Sequence, residues 1–311
     1  MSTTKVLKFT EAILDATQQV LGANPSTFVM GLGVSYKNGA DGTMGDLKDQ
    51  FPDRVLDTPI SEATTTGAAI GAAMNGMRPI IHHGRVEFAL FAADQIFTQA
   101  AKWNYMFGGN YPVPIVFRIA IGRQWGNGPQ HTQALYGLFG SVPGLKVVIP
   151  SSPYMAKGLL ISAVKDPNPV VYLEPRWLYQ LRGEVPVHEY EVDLSKSRIT
   201  RNGKDITLVC YGDGVHIAMQ AASLLENHGI DTEVIDMVTI NPIDYETVLE
   251  SIKRTGRLIT LDTSNNAFSV GSQVISHATQ LHFRDLKAAP IAISAPDVPV
   301  PTALSLSELY Y

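Results

Sequence analysis

The sequence predicts an α/β fold with two domains, each built around a mostly parallel sheet. Apolar runs typical of strands alternate with helical patterns along the 311 residues, as they do where crossover helices join parallel strands. The run 113–121 is nearly continuously apolar, as expected for a central strand buried on both faces. The length itself is enough for about two domains of ordinary size.

The composition excludes several classes of protein. An apolar content of 45% and a charged content of 17% describe a globular chain with a large core. The net charge of −5 and the lack of any Lys/Arg cluster argue against nucleic acid or an anionic membrane as a partner. The lone Cys210 excludes a disulfide framework and fits a reducing compartment. We expect neither a secretory signal nor a membrane span.

The first part of the chain supplies the elements of one sheet. Phe9, Ile13, Val20 and Leu21 recur with a helical period, and segments rich in glycine and proline separate the apolar runs. We predict, in order, a helix over 8–21, strands at 27–30 and 51–57, a helix from residue 62, a strand at 79–84, a helical stretch over 88–107, strands at 113–121 and 145–150, a helix over 152–165 and a strand at 169–173.

The stretch from 57 to 81 organises this first part. Pro59 disfavours helix just before it, Ser61 is suited to an N-cap, and Glu62 falls in the first turn, where a negative charge is favourable. The following helix consists of small residues and ends at Asn75-Gly76. From this stretch alone, Glu62 is either a capping residue or a functional carboxylate.

The second part of the chain predicts another α/β unit. A polar segment at 182–202 contains Pro186 and Asn202-Gly203 and is typical of a connection between domains. Beyond it we predict strands at 206–210, 232–237, 258–261 and 289–294, and a helix over 215–228 that ends at Gly229.

Three side chains follow predicted strands of the first part: Glu62, Phe88 and His131. Because loops after parallel strands meet at one edge of the sheet, these residues can come together there. Each has a structural alternative, since Phe88 could be a core residue and His131 a helix cap. The pair His82-His83 suggests metal ligation, but neither a cysteine nor a well-spaced acid accompanies it.

Taken together, these motifs resemble the β subunit of the E1 component of thiamine diphosphate-dependent 2-oxoacid dehydrogenases, of the pyruvate, branched-chain or acetoin type. The likeness covers nearly the whole chain. It is carried by 54–62 (RVLDTPISE), 71–74 (GAAM) with Gly76 and Arg78-Pro79, 94–95 (DQ), 112–118 (PVPIVFR), 130–133 (QHTQ), 143–150 (PGLKVVIP), 156–160 (AKGLL), 166–170 (DPNPV), 234–236 (VID), 239–240 (TI) and Pro242.

This resemblance implies a thiamine diphosphate pyrimidine-binding domain at 1–181, a linker at 182–202 and a transketolase C-terminal-like domain at 203–311. It implies an α2β2 heterotetramer with an E1 α-type subunit, which binds Mg²⁺ and shares thiamine diphosphate with the β subunit. The reaction would decarboxylate a 2-oxo acid and acylate the lipoyl group of an E2 acyltransferase. The expected location is the cytoplasm, or the mitochondrial matrix in a eukaryote.

The resemblance also implies roles for individual residues. Glu62 would hydrogen-bond N1′ of the aminopyrimidine, where a carboxyl favours the imino tautomer that removes the C2 proton. Phe88 would stack on that ring, and His131 would face the substrate and donate protons. A structural potassium ion, found in some members, would be bound by backbone groups of Ile115, Ala163, Asp166 and Asn168.

A second acidic motif resembles the Gly-Asp-Gly…Asn signature that holds Mg²⁺ and diphosphate. Gly212-Asp213-Gly214 precedes a predicted helix, and the next strand ends at Asn241. The alternative is that Asp213 caps the helix over 215–228. Because the resemblance assigns the diphosphate motif to the α subunit, we expect the capping role.

The sequence departs from the family at two places that bear on function. The segment 30–33 has no acidic residue where the family usually has some, and the loop 82–87 (HHGRVE) differs from the usual apolar, hydroxyl-bearing loop. The second departure motivates an alternative function, a two-subunit acyloin-forming or transketolase-like carboligase. A further alternative is a structural subunit without catalytic function.

Overall fold

The computed structural model describes residues 3–122 and 126–311. Residues 123–125, within the predicted loop at 122–133, lie outside the described residues. The chain folds as two compact units, of which the first combines Met1–Ile121 with Ser141–Leu194. The second combines Gly122–Gly140 with Ser195–Tyr311.

The first unit contains a parallel sheet with strand order β6-β7-β5-β4-β2-β3, and β1 and β8 form a separate antiparallel pair. Its strands are β1 (Thr4–Lys8), β2 (Thr27–Gly31), β3 (Val55–Asp57), β4 (Arg78–His83), β5 (Val116–Ile121), β6 (Lys146–Val148), β7 (Val170–Pro175) and β8 (Arg182–Pro186). Strands β2 and β5 are buried along their whole length. The parallel sheet and the α/β class predicted from the sequence are confirmed.

The helices of the first unit include one segmented stretch. They are α1 (Phe9–Ala23), α2 (Gly39–Gly42), α3 (Leu47–Gln50), α4 (Glu62–Met74), α5 (Val86–Ala89), α6 (Ala101–Met106) and α8 (Pro153–Lys165). The predicted helix over 88–107 is divided, because a 3₁₀ turn at Leu90–Ala92 and a π-helical segment at Gln95–Ala100 separate α5 from α6. Phe88 lies in α5, the first segment of this broken helix.

The second unit contains a sheet of order β14-β13-β10-β11-β9, parallel except for β9. Its elements are α7 (Tyr136–Gly140), β9 (Arg198–Arg201), β10 (Ile206–Cys210), α9 (Gly214–Glu226), β11 (Thr232–Asp236), β12 (Thr239–Asn241), α10 (Tyr245–Thr255), β13 (Leu258–Asn265), α11 (Val270–His282), β14 (Ile291–Ala295) and α12 (Leu304–Tyr310). Leu208, Val215 and Val234 belong to its core.

The structure differs from the predicted elements at identifiable places. Strand β5 begins at Val116 rather than residue 113, and Pro114, just upstream, has no N–H to donate to a ladder. The polar segment 182–202 carries parts of two strands, β8 and β9, whose mostly exposed or half-buried residues resemble a loop in composition. Among the described residues, no helix is long and apolar enough to cross a membrane.

Candidate active site

A cavity of about 300 Å³ opens at the carboxyl ends of β2 and β4 in the first unit. This is the edge of a parallel sheet where ligands usually bind, and the volume is at the lower end of the range for small-molecule sites. The cavity is lined by Gly31, Leu32, Thr58, Pro59, Ile60, Glu62, Thr65, His82, His83, Gly84 and Phe88. Two of the three residues singled out from the sequence, Glu62 and Phe88, are therefore brought together here.

Glu62 is the first residue of α4 and is half-buried. Ser61 occupies the N-cap position, but its hydroxyl donates to the Thr64 hydroxyl (2.9 Å) and makes no capping bond to the backbone. The Glu62 carboxylate makes no hydrogen bond or ion pair with the other described residues. The capping interpretation of Glu62 therefore has no hydrogen bond to support it. A carboxylate that lines a cavity and is bonded to no described residue is available to a ligand.

The loop before Glu62 is fixed by Asp57, at the end of β3. Its carboxylate accepts hydrogen bonds from the Gly33 backbone N–H (2.6 Å) and the Ser35 hydroxyl (2.9 Å). The Thr58 N–H donates to the Gly31 carbonyl (3.1 Å). These bonds tie the ends of β2 and β3 together, so that the chain reaches Glu62 on a defined path.

Phe88 lies in α5, the short helix that comes directly after the loop following β4. The ring is half-buried and lines the cavity, while its neighbour Ala89 is fully buried. The alternative that Phe88 is a core residue is therefore wrong. An aromatic face next to a carboxylate gives the cavity one apolar and one acidic recognition element.

His131 lies in the second unit, in the loop that precedes α7. Its backbone N–H donates to the Gly128 carbonyl (3.2 Å), which also accepts from the Thr132 hydroxyl (2.6 Å). Helix α7 begins only at Tyr136, so His131 is not its cap. The role of His131 opposite a substrate stays a prediction.

The residues expected to bind potassium lie around the end of α8. The Ile115 carbonyl accepts from the Val170 N–H (2.9 Å), and the Asp166 carbonyl accepts from the Arg78 guanidinium (3.2 Å). The Asp166 carboxylate accepts from the Asn168 N–H (2.8 Å), and Ala163 lies in the last turns of α8. A cation at these carbonyls would therefore have the Arg78 guanidinium as a neighbour.

His82 and His83 end β4 and are both buried. Nε2 of His83 hydrogen-bonds the Thr66 hydroxyl (3.2 Å), and burial lowers the pKa of His83 from 6.5 to about 4. Burial also lowers the pKa of His82 well below its usual value, with further lowering by Arg118, His83 and Arg176. Both rings are therefore neutral at neutral pH, and both line the cavity.

A buried ion pair lies next to His82 in the sheet. Arg118 donates from Nε and Nη2 to the Glu174 carboxylate (2.6 and 3.0 Å), and neither side chain is exposed to solvent. Nη2 also donates to the Thr43 hydroxyl (2.9 Å), and the Tyr179 hydroxyl donates to Glu174 (3.2 Å). This network holds a compensated positive charge behind the cavity.

The Gly-Asp-Gly motif does not form an open site in the second unit. Asp213 is 4% exposed, and its carboxylate accepts from the Thr263 hydroxyl (2.8 Å). Asp213 holds the N-cap position of α9 but makes no side-chain capping bond, so the capping role expected for it is wrong in detail. In 3–122 and 126–311, no group of three or more His, Cys, Asp or Glu could hold a metal ion.

Several residues of the cavity are not predicted from the sequence to belong to a site. Leu32, Ile60 and Thr65 are ordinary residue types in loops or helices, and only the fold brings them together. From the sequence, His82 and His83 are considered as metal ligands and, within the loop 82–87, as a departure from the family that bears on function. Their position at the end of a predicted strand was the signal that could have assigned them to this site.

Two family models together match almost the whole chain. The transketolase pyrimidine-binding domain matches residues 5–182, and the transketolase C-terminal domain matches residues 195–311. A solved split-gene transketolase, an inactive β4 tetramer, has the same fold, with a TM-score of 0.76 over 98% of this chain and 93% of the other at 21% identity. The chain thus belongs to the transketolase-like class, whose members are thiamine diphosphate-dependent.

Curated relatives narrow the class to a family. The chain is 41% identical to the acetoin:2,6-dichlorophenolindophenol oxidoreductase subunit beta of Cupriavidus necator, over 96% of this chain and 91% of that protein. It is 44% identical to the pyruvate dehydrogenase E1 component subunit beta of Rhizobium meliloti, over 96% of this chain and 65% of that protein. The chain belongs to the family of E1 β subunits of 2-oxoacid dehydrogenases, as the resemblance in its sequence indicates.

Proposed function

We propose that this chain is the β half of an α2β2 E1 enzyme that decarboxylates a 2-oxo acid and transfers the acyl group to a lipoyl acceptor on an E2 acyltransferase. The observation that carries the proposal is the uncommitted Glu62 carboxylate, which shares a cavity with the Phe88 ring. The family match and the relatives of the pyruvate and acetoin types support the choice of reaction.

The residues of the cavity fit the aminopyrimidine end of thiamine diphosphate. Glu62 would hold a proton between its carboxyl and N1′ of the ring, and a half-buried carboxyl next to apolar residues can be tuned by desolvation. Phe88 would stack on the ring, and Ile60 and Leu32 would exclude water from its edges. When bound, the cofactor supplies a carbon nucleophile and an electron sink.

Other parts of the site complete the proposal. His131 would donate protons to the substrate, and the α subunit would bind Mg²⁺ and the diphosphate. A potassium ion at Ile115, Ala163, Asp166 and Asn168 is a further prediction, which must accommodate the Arg78 guanidinium on the Asp166 carbonyl. A cytoplasmic or mitochondrial-matrix location also stays a prediction.

A second candidate function is a two-subunit carboligase, in which an aldehyde or ketone replaces the lipoyl acceptor. One observation favours it: the loop after β4 places His82 and His83 in the cavity wall, where the resemblance leads us to expect apolar and hydroxyl-bearing residues. Polar rings at this wall would suit an acceptor that carries a carbonyl oxygen.

The test is to co-express the chain with an α-type subunit, purify the complex and assay it with pyruvate. One arm supplies a free lipoyl domain as acceptor, and the other supplies acetaldehyde. Acylation of the lipoyl domain supports the main proposal, whereas acyloin formed without lipoyl transfer supports the carboligase. A complex that binds no thiamine diphosphate would leave only the structural-subunit alternative.

A further inference from the structure

We propose that His82 binds the 2-oxo acid by donating a hydrogen bond from Nε2 to an anionic oxygen of the substrate, in the cavity that contains Glu62. This inference rests on the proposed function and adds a substrate-binding residue to its site. It is argued from the burial of the ring, its neighbours in the sheet and the charges around it.

The His82 ring is placed at the cavity by the strands on either side. His82 is 5% exposed and lines the cavity. A Cβ on Gly31 would lie only 2.7 Å from the His82 carbonyl, so β2 approaches β4 closely here. A Cβ on Gly84, itself a lining residue, would lie 3.0 Å from Nε2 of His82. Nε2 of His82 therefore lies beside Gly84, at the surface of the cavity.

The other ring nitrogen of His82, Nδ1, lacks a hydrogen-bond partner in the described part of the chain. Nδ1 of His82 is buried and has no hydrogen-bond partner among the described residues, and the same holds for Nη1 of Arg118. His82 and Arg118 are register partners on the neighbouring strands β4 and β5, so their side chains leave the same face of the sheet. Because the nearby guanidinium is positively charged and has only donors, a lone pair rather than an N–H is favoured at the buried Nδ1.

This neighbour decides where the proton of the neutral imidazole lies. With the buried Nδ1 unprotonated, the N–H is at Nε2, next to the lining residue Gly84. Glu174 anchors Arg118 through two charge-assisted hydrogen bonds, so the orienting group is itself rigid. Arg118 makes no hydrogen bond to His82 and acts on the ring through its charge, which leaves the Nε2 N–H as a donor for a ligand.

The charges around His82 select the kind of ligand. Arg118 and Arg176 both lower the pKa of His82 beyond the effect of burial, so their positive charges act on the ring although each is paired, with Glu174 and Asp41 respectively. Positive charge near His82 favours a carboxylate as the acceptor of its N–H, whereas Glu62 is the group proposed to bind the aminopyrimidine. Of the two molecules that the proposed function brings here, the 2-oxo acid carries that charge.

The experiment uses the complex with an α-type subunit and the substitutions His82→Leu, His82→Gln and His82→Asn. A glutamine amide reaches the position of Nε2, whereas an asparagine amide reaches that of Nδ1. The probe is methyl acetylphosphonate, which has the oxo group and anionic oxygen of pyruvate but cannot lose CO₂. Calorimetric titration measures its binding to the complex, and a separate titration measures thiamine diphosphate.

We expect His82→Leu and His82→Asn to weaken binding of the phosphonate about 10- to 100-fold, as for loss of a hydrogen bond to a charged group, while His82→Gln retains most of it. The KM for pyruvate should rise in parallel, with thiamine diphosphate affinity unchanged. His228→Leu, at an exposed position of the second unit, is the matched control.

Three results would overturn the inference. They are a Leu variant with the affinity of the wild type for the phosphonate, an Asn variant that outperforms the Gln variant, and a loss of thiamine diphosphate affinity in place of phosphonate affinity. If the Leu variant does not fold, the Gln and Asn pair decides. Failure of the proposed function is distinguishable, because the wild-type complex would then fail either to bind thiamine diphosphate or to acylate the lipoyl domain.

Discussion

Each unit of the chain has a carboxylate where a helix begins after a parallel strand, and the two carboxylates have opposite surroundings. In the first unit, Glu62 is half-buried and lines a cavity, and its carboxylate makes no hydrogen bond with the described residues. In the second unit, Asp213 is buried and accepts from Thr263. The motif around Asp213 looks more like a ligand site in sequence, yet Glu62 is the carboxylate that is available.

The difference shows what a functional carboxylate needs beyond its motif. The polar groups near Asp213 bind one another: Thr263 also bonds the Tyr136 hydroxyl (3.0 Å), and the Tyr211 hydroxyl donates to Asp262. The cavity near Glu62 is lined partly by apolar residues, and its lining also includes His82, whose Nδ1 has no partner among the described residues. A site therefore requires polar groups that the fold leaves unsatisfied, and each prediction below tests that contrast between the units.

The largest change in stability should come from substituting one buried carboxylate in each unit, Glu174 in the first and Asp262 in the second. Glu174→Gln would leave the Arg118 charge buried without compensation, and we expect a loss of about 3–5 kcal/mol of unfolding free energy. Asp262→Asn should cost less than half as much, because burial already raises the pKa of Asp262, and an amide can still accept from Ser264 through its oxygen while its NH2 donates to the Tyr211 hydroxyl oxygen. Urea unfolding measures both, and equal losses would contradict the contrast.

An intermediate effect should come from pH, through His83. Its folded pKa of about 4 lies below the ordinary 6.5, so the unfolded chain binds the proton first as the pH falls. Stability is therefore present above pH 6.5 and is lost on the way down to about pH 4. At pH 5 the loss from this group should be about 2 kcal/mol relative to neutral pH.

The substitution His83→Gln should flatten this part of the profile, because Gln has no proton to gain and can still reach the Thr66 hydroxyl. Urea midpoints measured from pH 8 to pH 5 give the comparison, and His228→Gln in the second unit serves as the exposed control. A variant with the same pH profile as the wild type would show that His83 does not titrate as a buried group.

The smallest effect should come from two serines at N-cap positions. Ser269 accepts from the Ser272 N–H (3.1 Å) at the start of α11, so Ser269→Ala should cost about 1 kcal/mol. Ser61 makes no such bond at the start of α4, so Ser61→Ala should cost less than half of that. Amide hydrogen exchange in the first turn of each helix measures the effect locally, and a larger cost at Ser61 would reverse the expectation.

Most of the fold could be predicted because its signals are local. The sequence shows the apolar run of β5 and the amphipathic period of α1. It also shows the residues that bound α4, from Pro59 before it to Gly76 after it. Strands β8 and β9 could not be predicted, since short, exposed strands have the composition of a loop. The division of the helix after Phe88 was also missed, because the π-helical segment has no sequence signal of its own.

The site could be predicted only in part. Glu62 and Phe88 each follow a strand, so the rule for parallel sheets places both at one edge, as the structure does. The pairing of His82 with Arg118 depends on strand register, which the sequence does not state. Whether a carboxylate is free or engaged depends on distant residues such as Thr263 for Asp213, and no local pattern reveals this.

The central claim is that Glu62, rather than Asp213, activates the cofactor. The most direct measurement is the rate at which the C2 proton of thiamine diphosphate, bound to the complex with an α-type subunit, exchanges with D₂O. The account predicts that Glu62→Gln slows this exchange about 100-fold or more, while Asp213→Asn, at the matched carboxylate, leaves it close to the wild-type rate. Wild-type exchange in the Glu62→Gln complex, or equal slowing by Asp213→Asn, would contradict it.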